Sequence, residues 1–118
     1  MDESPLFIKT YDLIRWTLTH TQKFPKNERY RIAKRMEDSL LDFYECIIDA
    51  SRMKNPVFLD QADADLDKYR LYLRLSKDFG NTNTRQYAFA SEKIFEIGRM
   101  VGSWKKNVKK QLSDITAV

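Results

Sequence analysis

Basic side chains carry the clearest chemical signal in this sequence. Lysine and arginine are concentrated in two stretches, residues 23–35 and 105–110, and the chain has a formal net charge of +4. Cations clustered on one surface attract phosphate groups, so the two stretches predict contact with nucleic acid. The alternative is that they form an ordinary solvated surface.

Other residue types that do chemistry are poorly placed for it. Asp63, Asp65 and Asp67 alternate like calcium ligands, but the glycine and the terminal glutamate of a calcium loop are missing. His20 is the only histidine and has no evident acid or nucleophile partner, so we expect a surface or capping role. Cys46 is the only cysteine, which excludes an internal disulfide and favours a buried thiol and a cytoplasmic protein. We therefore expect no catalytic site, metal or cofactor.

Proline and glycine mark the boundaries of four predicted helices. Ser4-Pro5 predicts the start of the first helix, which continues to about Lys23. Phe24-Pro25 interrupts the pattern, and a second helix follows to about Lys54. Asn55-Pro56 opens the third helix, for which Gly80 is a suitable end. The spacing of Asn83 and Gln86 predicts a capping box at the start of the fourth.

Apolar side chains recur every three or four residues along the last three helices, as in the seams of a bundle. The predicted seams are Ala33, Met36, Leu40, Phe43, Tyr44, Ile47 and Ser51; Leu59, Ala62, Leu66, Tyr69 and Leu73; and Ile94, Ile97, Val101, Trp104, Val108 and Leu112. Short connections make consecutive helices antiparallel. We therefore predict an all-α, up-down-up-down four-helix bundle, with one domain over residues 1–118. No stretch approaches the ~20 apolar residues that span a membrane, and the N-terminus lacks a targeting pattern.

An antiparallel bundle brings many cations to one end. We call this group the basic pole: Lys23, Lys26, Arg29, Arg31, Lys34, Arg35, Arg74, Lys77 and Arg85. Cations at the start of a helix oppose its dipole, so stability alone does not favour them there. Residues 37–67, by contrast, contain nine acidic residues against Arg52 and Lys54. This charge separation predicts either a phosphate-binding surface or a device that orders protomers in an assembly.

The outer face of the fourth helix combines an aromatic side chain with cations. Phe95 and Arg99 project opposite the core seam, as do two lysines, and two more lie near its rim; the four are Lys105, Lys106, Lys109 and Lys110. We call these four the lysine cluster. The aromatic ring could stack on a base or pack against a partner protein, or it could be a lone surface residue among solvated lysines.

Two further features predict contact between helices or protomers. Ala64, Leu71 and Leu75 project away from the core seam of the third helix, as in a protein–protein interface. Gly98 and Gly102 stand four residues apart within the fourth helix, where each costs ~1 kcal/mol relative to alanine. We expect them to permit close packing within the bundle or between protomers. Trp104 would then be a core or interface anchor.

Three segments carry a resemblance to a known family. They are Lys23-Phe24-Pro25-Lys26-Asn27-Glu28-Arg29-Tyr30, the Ala62-Asp63 stretch with the helix that follows it, and the motif from Glu96 to Trp104. Together they resemble the accessory variability determinant proteins of diversity-generating retroelements. They also resemble related four-helix proteins encoded in intervening sequences of 23S ribosomal RNA genes. The resemblance spans nearly the whole chain.

The resemblance implies a bundle protomer that assembles into a homo-pentameric barrel. It also implies a basic surface for RNA and DNA, and a reverse transcriptase that copies template-repeat RNA into cDNA. The expected nucleic-acid-binding residues are the basic pole, Arg99 and the lysine cluster. Three alternatives remain: a protein-only oligomeric adaptor, a small enzyme with a bundle cavity, and a ribosomal intervening-sequence protein.

Overall fold

The computed structural model describes residues 4–116, which form four helices and no strand. The helices are α1 (Pro5–Thr21), α2 (Lys34–Met53), α3 (Val57–Asp78) and α4 (Thr84–Thr116). The predicted all-α, four-helix fold is confirmed over these residues. The prediction of one domain over residues 1–118 includes residues 1–3 and 117–118, which lie outside the described range, and stays a prediction.

Side-chain contacts show that neighbouring helices run antiparallel. Phe7 packs edge-on against Tyr44, while Thr21, near the other end of α1, donates a hydrogen bond to Glu37 near the start of α2. In the same way Lys9 pairs with Glu96, whereas Trp16 packs on Phe89. Arg35 near the start of α2 contacts Tyr72 of α3, whereas Cys46 further along α2 contacts Gln61 near the start of α3, so the helix order is up-down-up-down.

Most helix boundaries follow the predicted punctuation. Pro5 is the first residue of α1, and Gly80 follows α3 in the left-handed conformation with φ 81°. The capping box of α4 is reciprocal: the backbone N–H of Gln86 donates to Asn83 Oδ1 at 2.8 Å, and that of Asn83 donates to Gln86 Oε1 at 2.9 Å. These two bonds satisfy donors that the first turn of a helix leaves unpaired.

The segment before α2 differs from the prediction. The first helix ends at Thr21 rather than Lys23, and residues 26–33 are not α-helical. Lys26–Glu28 form a 3-10 turn and Arg29–Ala33 a π-helical turn. Pro25 cannot donate a backbone hydrogen bond, and its carbonyl accepts one from Glu28 N at 2.8 Å, which makes the turn tight. The wider π turn that follows leads into α2 with Ile32 and Ala33 buried.

The predicted seams form the core in the middle of the bundle, but some of their residues at one end are exposed. All five seam residues of α3 are buried, as are Ile94, Ile97 and Val101 of α4. Ser51 and Leu112 are instead exposed, which corrects their placement in the core. Lys105 lies beside Asp60 near the start of α3, and beyond it Val108 and Leu112 face the loop between α2 and α3 rather than the core. Among the described helices, none is long and apolar enough to cross a membrane.

Candidate nucleic-acid interface

The basic pole occupies the end of the bundle where α1 and α3 finish and α2 and α4 begin. Contacts between these elements hold it together, such as the hydrogen bond between His20 and Thr82. All of its cations are exposed except Lys77, which is half-buried. The structure thus brings the nine predicted cations to the same end of the molecule.

Three cations of the basic pole already have an acidic partner. These ion pairs are Arg31–Glu28 at 3.1 Å, Lys34–Asp38 at 2.7 Å and Arg74–Asp78 at 3.2 Å. All three join residues three or four positions apart; the two exposed pairs, Lys34–Asp38 and Arg74–Asp78, contribute well under ~1 kcal/mol, whereas Glu28 of the third pair is buried. They partly neutralise the surface without removing these cations from it.

Two more cations lie over aromatic rings, and the remaining four have neither an ion-pair partner nor a ring contact among the described residues. The Arg35 guanidinium lies 5.9 Å from the centre of the Tyr72 ring, and Lys77 Nζ lies 5.1 Å from that of Tyr87. Neither an acidic partner nor an aromatic ring among the described residues contacts the other four, which are Lys23, Lys26, Arg29 and Arg85. These four are the cations of the basic pole that are most available to a ligand.

A buried hydrogen-bond chain positions the α3–α4 loop at this end. Ser76 Oγ donates to the carbonyl of Leu73 at 2.7 Å, so its single proton is used. Thr82 Oγ1 must then donate to Ser76 Oγ at 2.8 Å and accept from His20 Nε2 at 2.8 Å. The chain therefore assigns the proton of the imidazole to Nε2.

His20 is a core residue, which corrects the expectation of a surface or capping role. It is 6% exposed, and its ring stacks on Trp16 with a centroid distance of 4.7 Å. Phe24 packs against it edge-on at 5.1 Å. Burial lowers the pKa of His20, and the nearby charge of Lys23 lowers it further. The imidazole is therefore held neutral beneath the basic pole.

Two buried polar atoms near the basic pole lack a hydrogen-bond partner among the residues that the structure describes. They are Oε2 of Glu28, whose other oxygen pairs with Arg31, and Nδ2 of Asn81 in the α3–α4 loop. An unsatisfied buried polar group costs ~1–3 kcal/mol.

The lysine cluster lies at the opposite end of the molecule. Lys105 Nζ pairs with Asp63 at 2.7 Å and with Asp60 at 3.0 Å, and both carboxylates raise its pKa. Arg85 and Lys106 are more than five turns of α4 apart, or about 30 Å. The two predicted basic groups therefore form separate surfaces, and Lys105 is largely occupied within the protomer.

A comparison with protein-family models assigns the sequence to a family. The model described as bAvd-like matches residues 6–108, which include parts of all four helices. The chain belongs to the bAvd-like family. A comparison with curated proteins gives no match. The resemblance to accessory variability determinant proteins is confirmed, and the matched region includes the whole basic pole of this bAvd-like protein.

The predicted interface residues of the bAvd-like protein fall into two groups. Leu71 of α3 and Phe95 of α4 are 54% and 63% exposed, and Ala64 of α3 is exposed as well. The half-buried members are Leu75, Gly98, Gly102 and Trp104. The first group is open to a partner, whereas Leu75 and Trp104 pack against the core.

The two glycines of α4 differ in their surroundings. A Cβ on Gly98 would lie 2.8 Å from Nη2 of Arg70, so this glycine gives room to a side chain of α3. A Cβ on Gly102 would meet nothing within 4 Å. The close approach predicted for Gly98 therefore occurs inside the protomer, while Gly102 has no neighbour there that requires a glycine.

Cys46 is half-buried between α2 and α3 rather than fully buried. Its thiol lies 3.5 Å from Asp65 Oδ2, and burial together with that carboxylate raises the pKa of Cys46 to about 11. The neighbouring aspartates have separate partners: Asp63 contacts Lys105 and Asp67 contacts Arg70. A protonated thiol is a poor nucleophile, so Cys46 is not activated for nucleophilic attack at neutral pH.

Sequence reasoning missed several exposed apolar residues. Ile8, Tyr11 and Leu18 are exposed on α1 at spacings of three and seven residues, a signal that a helical projection of that segment detects. Tyr30 and Phe79 are also exposed, both within the elements of the basic pole. Tyr30 stands in the segment that carries the family resemblance, but its exposure depends on the π turn.

Proposed function

We propose that this bAvd-like protein is a non-catalytic accessory protein of a diversity-generating retroelement. It binds template RNA or its cDNA copy through the basic pole and associates with the reverse transcriptase. The observation that carries the proposal is the presence of Lys26, Arg29 and Arg85, with no acidic partner among residues 4–116, on one end of a bAvd-like bundle. Unneutralised cations on one surface are the electrostatic footprint of phosphate binding.

The proposed assembly is a homo-pentamer, as the family resemblance implies. The exposed residues Leu71 and Phe95 and the open surface at Gly102 support contact between protomers.

The proposed RNA binding is tested with a variant that removes the available charges. Lys26, Arg29 and Arg85 are replaced by glutamine together, and affinity for a structured RNA is measured across a salt series. We expect weaker binding and a plot of log affinity against log salt that is less steep by roughly 2, because each lost phosphate contact removes ~0.7–0.9 from the slope. An unchanged slope would reject the basic pole as the RNA surface.

The matched control removes the same charge elsewhere. Arg15, Arg52 and Lys68 are exposed and lie outside the basic pole, and their replacement by glutamine should leave the salt slope unchanged.

Association with the reverse transcriptase is measured by co-purification of the two proteins expressed together. If the protein neither binds RNA nor co-purifies with the reverse transcriptase, the accessory role is rejected.

A protein-only adaptor is the second candidate, favoured by the intramolecular use of charge. Lys105 pairs with Asp60 and Asp63, which shows that the acidic stretch already binds one cation of α4. If such pairs also order protomers, high salt should dissociate the oligomer. The mass of the oligomer across the salt series separates the two candidates.

A gene position within a ribosomal RNA gene, rather than beside a reverse-transcriptase gene, would favour the intervening-sequence alternative.

A further inference from the structure

The most exposed aromatic residue in the described chain stands within the basic pole. The side chain of Tyr30 is 85% exposed and lies between Arg29 and Arg31 in the π turn. It makes no hydrogen bond or ring contact with any residue from 4 to 116. A tyrosine that contributes so little to packing leaves its aromatic surface available to a ligand.

The local backbone explains why Tyr30 points outward. Glu28, Ile32 and Ala33 are buried, so the buried face of this segment lies to either side of Tyr30 in sequence. The residue two positions from a buried neighbour on a helical turn projects towards the opposite face. Lys26 and Lys34, each four residues from Tyr30, are exposed as well.

A cleft of about 540 Å³ opens beside this tyrosine. Its lining is formed by Thr21, Gln22, Arg29, Tyr30, Ala33 and Glu37. The volume falls within the range of small-ligand sites, which is ~300–1,000 Å³. One wall therefore carries a cation and an aromatic ring, and the other side belongs to the end of α1.

The carboxylate of Glu37 determines which part of a nucleotide fits this cleft. Its Oε2 accepts a hydrogen bond from Thr21, which holds the side chain in place. A fixed carboxylate repels a phosphate but can accept hydrogen bonds from a base. A base would therefore enter the cleft, while its phosphate would remain outside on Arg29. A base inside a duplex cannot reach such a position without leaving its stack.

We propose that the cleft beside Tyr30 binds an unpaired nucleotide, with the base stacked on the tyrosine ring and the phosphate on Arg29. This inference rests on the proposed function and specifies its ligand as single-stranded rather than duplex nucleic acid. Stacking on aromatic side chains combined with a positively charged surface is the usual mode of single-strand recognition.

The test compares two probes on the full-length protein. One is a fluorescein-labelled single-stranded RNA of about 12 nucleotides without self-complementarity, and the other is the same strand annealed to its complement. We expect Tyr30→Ala to weaken single-strand binding about 5- to 150-fold, the effect of removing one stacked base. Duplex binding and the salt slope should not change, because no phosphate contact is lost. Tyr30→Phe should retain full affinity, since the ring rather than the hydroxyl binds.

Tyr11→Ala is the matched control. Tyr11 is exposed on α1 but lies outside the basic pole, so its loss should leave both affinities unchanged. Equal weakening of single-strand and duplex binding by Tyr30→Ala would overturn the stacking assignment. So would unchanged binding, or a loss of oligomer mass or of reverse-transcriptase binding without loss of RNA affinity.

Failure of the inference is distinct from failure of the proposed function. If the triple variant at Lys26, Arg29 and Arg85 loses RNA binding while Tyr30→Ala retains it, the basic pole binds RNA without stacking. If the unmodified protein binds neither probe, both proposals are rejected.

Discussion

The imidazole of His20 donates a hydrogen bond to the hydroxyl of Thr82 across 2.8 Å, linking α1 to the loop between α3 and α4. Sixty-two residues separate the two in sequence, and both are buried. The hydroxyl of Thr82 in turn donates a hydrogen bond to Ser76 Oγ at 2.8 Å. The link matters for function because it fixes the loop that leads to Arg85 of the basic pole.

Replacing Thr82 by valine should destabilise the fold by about 1–3 kcal/mol. The valine would leave the Nε2–H group of His20 buried without an acceptor, and that desolvation cost is not recovered. Urea unfolding would show a lower midpoint with an unchanged slope. Thr19→Val is the control: Thr19 is exposed, and its hydroxyl donates only to the carbonyl of Arg15. A change within ~0.5 kcal/mol is expected there. Equal effects of the two variants would contradict the role of the chain.

The pH dependence of His20 follows from its lowered pKa. The unfolded chain binds the proton more tightly than the folded protein, so neutral His20 supports stability above its unfolded pKa near 6.5. That contribution is lost as the pH falls through the folded pKa. Because the chain has one histidine, a single imidazole resonance reports the titration by NMR. A midpoint at or above 6.5 would show that the ring is not desolvated as described.

Cys46 should react slowly with thiol reagents at neutral pH. With a pKa of about 11, its thiolate fraction at pH 7 is far below that of a free cysteine. Higher intrinsic nucleophilicity offsets part of this, which leaves a rate at least ~10-fold below that of a free thiol. The rate of alkylation should keep rising above pH 9. Asp65→Asn removes the adjacent carboxylate and should accelerate the reaction, and a plateau near pH 8.5 would contradict the assignment.

Gly102→Ala should stabilise the protomer and weaken its assembly. The added Cβ meets nothing within 4 Å, so up to ~1 kcal/mol of helix propensity is gained. If another protomer packs against this position, the same methyl group obstructs it. Sedimentation at several protein concentrations measures the effect. Gly98→Ala is the comparison, since its Cβ displaces only the flexible end of Arg70 and should leave assembly intact. An undisturbed oligomer in Gly102→Ala would remove this glycine from the interface.

Lys105 and Lys109 should differ in their effect on RNA binding. Lys105 is held by Asp60 and Asp63, whereas Lys109 is exposed and has no ion pair among the described residues. If the RNA extends from the basic pole to the lysine cluster, Lys105→Gln should therefore change its affinity less than Lys109→Gln at the same salt concentration, and no effect of either variant would confine binding to the basic pole. The reverse order would mean that the carboxylates release Lys105 when RNA binds.

The basic pole shows how much of the site could be predicted from the sequence. Net charge, helix punctuation and antiparallel order are enough to bring Arg29 and Arg85 to one end, because helix length and short connections leave little freedom. The exposure of Tyr30 was not predictable in the same way. It depends on the π turn, whose phase is set by how Ile32 and Ala33 pack against the neighbouring helices.

The seams of the bundle follow from local periodicity, so the sequence by itself determined the number of helices, the capping box of α4 and the antiparallel order, but not the turns that precede α2. Tertiary structure alone decided which polar groups meet. The burial of His20 requires Thr82 and Ser76 from distant segments, and the neutralisation of Lys105 requires Asp60 and Asp63 from another helix. Hydrogen bonds and ion pairs act over a few ångströms and depend on direction, whereas apolar periodicity records only which face of a helix is turned inward.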